Sequence, residues 1–296
     1  MASSVRLAND LTLAQNPDGG WGYLPGKHSR VEPTAWIILG LSVHGDASLK
    51  VRDRGLDWLT KMQQADGSFR SAPDTGNSLW MTAPALLALQ GSGRTQDASA
   101  ATAAFHSVLK QKAQTPRLKM TGMRSDVEAW GWTTDAFSWI EPTCLSLMAL
   151  HSYPREKLQS TSELDLRIKE GEIIVRARRC NDGGWNYGNF GNRDYALGAF
   201  PVPTALALIA LQRDTGDPQI KQGWERLEQM RKTEPSMLSL GWGTIAAKAL
   251  KRPSDPWENQ LLAHIDKRVG ATNLDRGLAL LALNDQLPVF TFAPRL

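Results

Sequence analysis

Apolar positions along the chain fall into two alternating patterns. Six short segments are apolar nearly all round: Glu32–Leu41, Trp80–Leu89, Glu141–Leu150, Val202–Leu211, Gly241–Leu250 and Leu274–Leu283. Between them lie amphipathic stretches with one apolar face, at about 4–15, 48–64, 95–113, 160–179, 217–231 and 257–268. In the second of these, Leu56, Leu59 and Met62 share a face at helical spacing. A helix apolar on all sides belongs inside a protein, and one with a single apolar stripe belongs at its surface. The alternation predicts an all-α chain of about six helical hairpins, none of which can bury its apolar face alone. Buried and half-buried helices then form two concentric layers. An open solenoid would expose part of the inner layer, so a closed double barrel fits better. No domain linker interrupts the pattern, and residues 1–296 read as a single α/α toroid.

A turn motif joins the two kinds of helix. The stretch Arg54 to Phe69 carries Gln63, Asp66-Gly67 and a closing aromatic, Phe69. The same ending recurs from Gln15 to Trp21 and from Cys180 to Trp185, with Cys180 in the place of the Gln. Asp favours a local hydrogen-bonded turn, and Gly accepts a left-handed backbone. The aromatic is expected to fold back onto the helix end. The connections at 115–140 and 185–201 are longer than the rest and gather Trp130, Trp132, Trp139, Tyr187, Phe190, Tyr195 and Phe200 at one barrel end. Long loops at one end of a scaffold are common binding places. The apolar tail Leu287–Leu296 is expected to cover a gap left by a short sixth unit.

Composition narrows the function classes. Hydrophobic residues make up 42%, ample for a buried core. The net charge of +4 is mild and spread among many acids, and no basic run alternates with aromatics. Nucleic-acid binding is therefore not expected. The first residues hold no apolar signal-peptide core, and no stretch approaches the length of a membrane-spanning helix. Two cysteines, Cys144 and Cys180, make no disulfide framework. A cytoplasmic location is the expectation. The sequence leaves open a peripheral membrane contact, a protein partner and a homo-oligomer.

The turns resemble the QW motif of squalene–hopene and oxidosqualene cyclases, and with the Pro-Thr helices the resemblance spans nearly the whole chain. It implies the α6/α6 toroid shared by triterpene cyclases and protein prenyltransferase β subunits, with a hydrophobic isoprenoid or lipid as ligand. Class II terpene cyclases protonate an alkene or epoxide with an Asp-x-Asp-Asp motif that enters an inner helix. That chemistry needs a neutral carboxylic acid aimed into a dry cavity. Glu32-Pro33-Thr34 matches the Asp-Asp-Thr ending best, and Glu141-Pro142-Thr143 is a second match. Arg30-Val31 and Trp139-Ile140 precede them, so neither carries the family's full motif. Glu32 and Glu141 are the candidate acids; the plainer alternative is two first-turn acids favoured by the helix dipole.

Trp36, Trp80, Trp139 and Trp242 lie at or near inner-helix starts, where a cavity wall would be. In cyclases such aromatic faces stabilise carbocations, and ordinary core packing is the alternative here. The prenyltransferase zinc, bound by Asp, Cys and His, has partial counterparts in Glu141 and Cys144, with His28 the candidate to complete a site. His151 lies roughly 10 Å along the helix from Cys144, too far to share one zinc. Cys144 is therefore expected to be a small buried residue. No Asp-Asp pair and no phosphate-cradling Gly loop occurs, so no metal and no cofactor is expected. Three readings follow: a terpene-cyclase-like enzyme, a non-catalytic isoprenoid- or lipid-binding protein, and a protein-interaction toroid with a filled barrel.

Overall fold

Both kinds of helix form, in the expected order, in the computed structural model, which describes residues 2–71, 79–114, 126–188, 197–214, 216–267 and 271–292. The inner helices are α2 (Val31–His44), α4 (Thr82–Gly91), α6 (Ile140–His151), α8 (Pro201–Ala210), α10 (Met237–Ala249) and α12 (Asn273–Ala282). The outer ones are α1 (Ala2–Leu13), α3 (Leu49–Lys61), α5 (Ala98–Lys110), α7 (Ser162–Ala177), α9 (Pro218–Thr233) and α11 (Asp255–Lys267). Each inner helix packs on the next, and α12 returns to pack on α2, which closes the ring. The closing seam is held tight by two glycines. A Cβ on Gly40 would sit 2.5 Å from the Gly277 carbonyl oxygen, and one on Gly277 would sit 2.9 Å from the Ile37 backbone. Helix α10 begins at Met237, earlier than its apolar run, because Ser236 and Ser239 form a capping box.

The turns explain the Pro-Thr starts of the inner helices. The backbone N–H of Trp21 donates to Thr34 Oγ1 at 2.9 Å, that of Phe69 to Thr82 at 3.1 Å and that of Trp185 to Thr204 at 2.9 Å. The indole N–H groups of Trp21 and Trp185 donate to the Leu11 and Val175 carbonyls, both at 2.7 Å, on the preceding outer helix. Gln15 donates to the Gly19 and Val51 carbonyls, and Gln63 to those of Gly67 and Ala100. Each glutamine thereby ties its turn to the next outer helix. That helix makes room for the aromatic. A Cβ on Gly55 would lie 2.6 Å from Trp21, and one on Gly223 would lie 2.6 Å from Trp185. For the smaller Phe69 the same register carries Ala104.

Two expectations are corrected. In the third copy Arg179, not Cys180, takes the glutamine's role. Its Nε donates to the Gly183 carbonyl at 3.1 Å, and the guanidinium reaches Gln222 on α9. Trp130, placed among the rim aromatics by its long loop, is a fourth structural turn residue and only 1% exposed. It donates its indole N–H to the Val108 carbonyl at 2.8 Å and exchanges hydrogen bonds with Thr143.

The C-terminal segment is described as far as Phe292. It runs across the lower end of the ring, where the inner helices finish. Gln212, just past α8, donates to the Phe290 carbonyl at 2.9 Å and accepts from the Phe292 N–H at 3.2 Å.

Candidate functional site

The inner helices all start at one end of the ring, and the two Glu-Pro-Thr starts bring their acids together there. Glu32 and Glu141 are the second residues of α2 and α6, and both are half-buried. Loss of hydration pushes the Glu32 carboxyl up to about 7, with the Asp275 charge adding and the Tyr23 hydroxyl, which donates to Glu32, opposing. Burial and then the charge of Glu32 push Glu141 up to about 8. The two carboxyls are thus within electrostatic reach of each other, and at neutral pH the pair retains a proton.

Two tyrosines attend the acids. Burial, then Glu32, raises the Tyr23 hydroxyl far above its ordinary value, and burial, then Glu141, raises Tyr187. The Tyr23 carbonyl accepts the Asn273 N–H at 2.7 Å, while the Asn273 side chain donates to the Gly22 carbonyl at 3.0 Å. That loop is therefore clamped to the start of α12. Tyr187 accepts the Ile140 N–H at 3.2 Å, which fixes it beside the start of α6. Sequence reasoning did not single out Tyr23, yet a signal exists. Tyr23, Trp132 and Tyr187 each lie two residues past a turn tryptophan, in Trp21-x-Tyr23, Trp130-x-Trp132 and Trp185-x-Tyr187. The first aromatic of each pair is structural, and the second faces the mouth region.

The remaining candidates separate by depth. Trp36 lies one turn below Glu32 and is 2% exposed; Trp242 is 4% exposed. Their rings meet edge to face, 5.0 Å between centroids, and Phe290 packs against both from the C-terminal segment. Trp80 and Trp139 are half-buried at the rim, Trp80 edge to face with Trp132 at 4.8 Å. His28 is exposed, whereas Cys144 is fully buried with its thiol pushed up by burial and then by Glu141. An exposed imidazole and a sealed thiol do not share a metal, so the zinc-like grouping is not assembled. Among the described residues no cluster of three His, Cys, Asp or Glu could hold a metal ion. Phe190 and Tyr195 lie outside the described residues.

The rim is apolar. Leu13, Leu24, Phe137, Leu197 and Phe200 are all exposed, and all lie at or near the connections that lead into inner helices. Among the described residues no helix is long and apolar enough to cross a membrane.

No family model matches the chain. Over 64 residues it is 42% identical to the drimenyl diphosphate synthase of Streptantibioticus cattleyicolor, covering 22% of this chain and 12% of that enzyme. Over 72 residues it is 33% identical to the squalene–hopene cyclase of Zymomonas mobilis, covering 20% of this chain and 11% of that enzyme. The matched segments thus span only about an eighth and a ninth of those relatives. Among solved structures, the apo type II terpene cyclase MstE from Scytonema superposes with a TM-score of 0.56 at 16% identity, covering 88% of this chain and 78% of that one. An α-1,6-mannanase of Salegentibacter superposes with a TM-score of 0.63 at 11% identity, covering 95% and 97%. The α/α toroid is thus common to cyclases and glycosidases, and the two local sequence matches are both to cyclases. In sequence and fold together, the likeness of this chain is to the terpene cyclase superfamily.

Proposed function

We propose that the chain handles an isoprenoid at the barrel mouth, where the inner helices start, and begins its cyclisation by protonation, with Glu141 as the acid. The observation that carries this reading is the pair of glutamates at matching starts of α2 and α6, desolvated and coupled by charge, with the Trp36–Trp242 pair one turn further into the ring. The kinship supports the ligand class: MstE variants have been seen with geranylgeranyl dihydroxybenzoate as substrate and with merosterolic acid A as product. A carboxyl that keeps its proton to about pH 8 is a weak acid, which favours an acceptor more basic than a plain alkene, such as a terminal epoxide. In that step the Glu141 O–H bond breaks and the proton bonds to the epoxide oxygen. The C–O bond opens toward oxygen, and the electron pair of a neighbouring double bond closes the first ring. The final cation loses a proton to water, and solvent at the mouth returns one to Glu141. The faces of Trp36 and Trp242 would support the transient positive charge. The exposed apolar side chains Leu24, Phe137, Leu197 and Phe200 suit contact with a membrane surface from which such a substrate would come.

The test is incubation with farnesyl and geranylgeranyl compounds, plain and terminally epoxidised, followed by mass spectrometry. Cyclised product should appear with the native chain and fall by at least about a hundredfold in Glu141→Gln. Bound ligand recovered unchanged would favour a non-catalytic binding protein. Failure to bind any of them would overturn the reading altogether.

A further inference from the structure

The ring closes where its first and last units meet, and that seam holds a cavity of 330 Å³ between α1, α11 and the starts of α10 and α12. Its size falls at the lower end of small-molecule sites. Leu7, Met237 and Ile265, all buried, give it an apolar wall. Three charged side chains, Arg6, Asp10 and Arg276, also line it, and all three are half-buried. Their partners differ. Arg6 reaches Asp266 at 2.6 Å and the Ile265 carbonyl at 3.5 Å, so its charge is neutralised in tying α1 to α11. Arg276 donates to the Asn273 side-chain oxygen, a neutral group, at 3.4 Å. Among the described residues no ion pair or hydrogen bond reaches the Asp10 carboxylate. One cation and one anion thus share the cavity without neutralising each other. A partly desolvated charge left unpaired is costly, and a ligand of opposite charge relieves that cost.

We propose that this cavity binds a small zwitterion with an apolar body, a free α-amino acid such as leucine. The α-carboxylate pairs with Arg276, whose guanidinium suits a carboxylate through two parallel N–H bonds. The α-ammonium donates to Asp10. The branched side chain lies against Leu7, Met237 and Ile265. Charge balance decides for a zwitterion over a simple ion. With Arg6 neutralised by Asp266, a lone carboxylate would gain Arg276 but meet Asp10 as a like charge. A lone ammonium would gain Asp10 and meet Arg276 in the same way. The site uses neither Glu32 nor Glu141, and it stands whether or not the chain acts on an isoprenoid. Its occupant touches α1 and α12 together, so binding fastens the first unit to the last.

Isothermal titration calorimetry on the full chain compares L-leucine with two analogues of the same branched body. Isocaproate lacks the ammonium group, and isoamylamine lacks the carboxylate. L-Leucine should bind, and each analogue should bind about tenfold or more weakly, the worth of one charged hydrogen bond. Saturating leucine should also raise the thermal unfolding midpoint by about 2 °C or more, since only the closed ring holds the site. Two variants should reverse the preference. Asp10→Asn should lose about tenfold for leucine yet keep its affinity for isocaproate, and Arg276→Gln should lose leucine and keep isoamylamine. Equal affinity for leucine and its analogues, or no binding of leucine at about 10 mM, overturns the proposal on the native chain alone. An unchanged preference in Asp10→Asn or Arg276→Gln, with native-like thermal unfolding, overturns it as well.

Discussion

Helices α2 and α6 begin with the same three residues in the same place, and their acids behave differently. Glu32-Pro33-Thr34 and Glu141-Pro142-Thr143 both follow a turn tryptophan, and Thr34 and Thr143 both clamp it. The frame is identical, so the difference comes from what each loop brings. Tyr23, held to α12, donates a hydrogen bond to Glu32 and so favours its charged form. Glu141 has no hydrogen bond to its carboxyl among the described residues and faces the charge of Glu32 instead. It keeps its proton to about 8, against about 7 for Glu32. The helix start supplies position, and the neighbouring loop decides which acid donates and which one bears charge.

Breaking the symmetry on each side gives the largest expected effect. Glu141→Gln should cost roughly 10²–10⁴ in turnover, the usual worth of a positioned general acid. Glu32→Gln removes the anion that raises Glu141, so Glu141 should ionise at lower pH. Its activity near pH 6 should then survive largely intact, while the alkaline limb of the pH–rate profile moves down. Equal losses at all pH values in the two variants would mean that the acids have no separate roles.

That division was only partly legible in the sequence. The toroid could be read because apolar patterning and turn chemistry repeat, and each repeat constrains the others. Glu32 and Glu141 were found for the same reason: they share a repeated register. The glutamine's counterpart, expected at Cys180, stands one residue earlier at Arg179: the spacing from Gln15 to Trp21 and from Gln63 to Phe69 matches that from Arg179 to Trp185, and a guanidinium reaches the same carbonyl as an amide. Trp130 was missed as a turn because no Asp-Gly or Gln precedes it; its marker is Thr143, thirteen residues on, as Thr34 is for Trp21. Tyr23 and Phe290 depend on contacts across the ring, to α12 and to α8, which no local pattern carries.

The same comparison can be sharpened through stability. Both acids titrate higher in the folded chain than their ordinary 4.5, so the folded state binds more protons between that value and about 7 or 8. Stability contributed by the neutral forms is complete at low pH and is lost as pH rises through that window. Both residues are only half-buried, which reduces the effect below the full linkage. Glu141→Gln should therefore stabilise the chain at pH 8.5 by about 1–3 kcal/mol and have little effect at pH 5. Glu32→Gln should show a smaller gain, since it also abandons the Tyr23 hydrogen bond. Urea unfolding at the two pH values decides it. A pH-independent difference would show that burial of these carboxyls is not what raises them.

The smallest change isolates the loop's contribution. Tyr23→Phe removes one hydroxyl that donates to Glu32 and leaves the ring that fills the same space. The bond favours the carboxylate, so its loss should raise the Glu32 titration by about one unit, toward that of Glu141. Tyr187→Phe is the matched control: Tyr187 and Glu141 interact through charge and burial, with no hydrogen bond between them among the described residues, so Glu141 should barely move. Carboxyl carbon-13 titration of glutamate-labelled protein would resolve both acids at once. With Glu32 raised to the level of Glu141, each acid becomes a competing holder of the shared proton. The alkaline limb should broaden without a loss of maximal rate. If Tyr23→Phe instead lowers the Glu32 titration, the hydroxyl was not stabilising its charge, and the two helix starts differ for another reason.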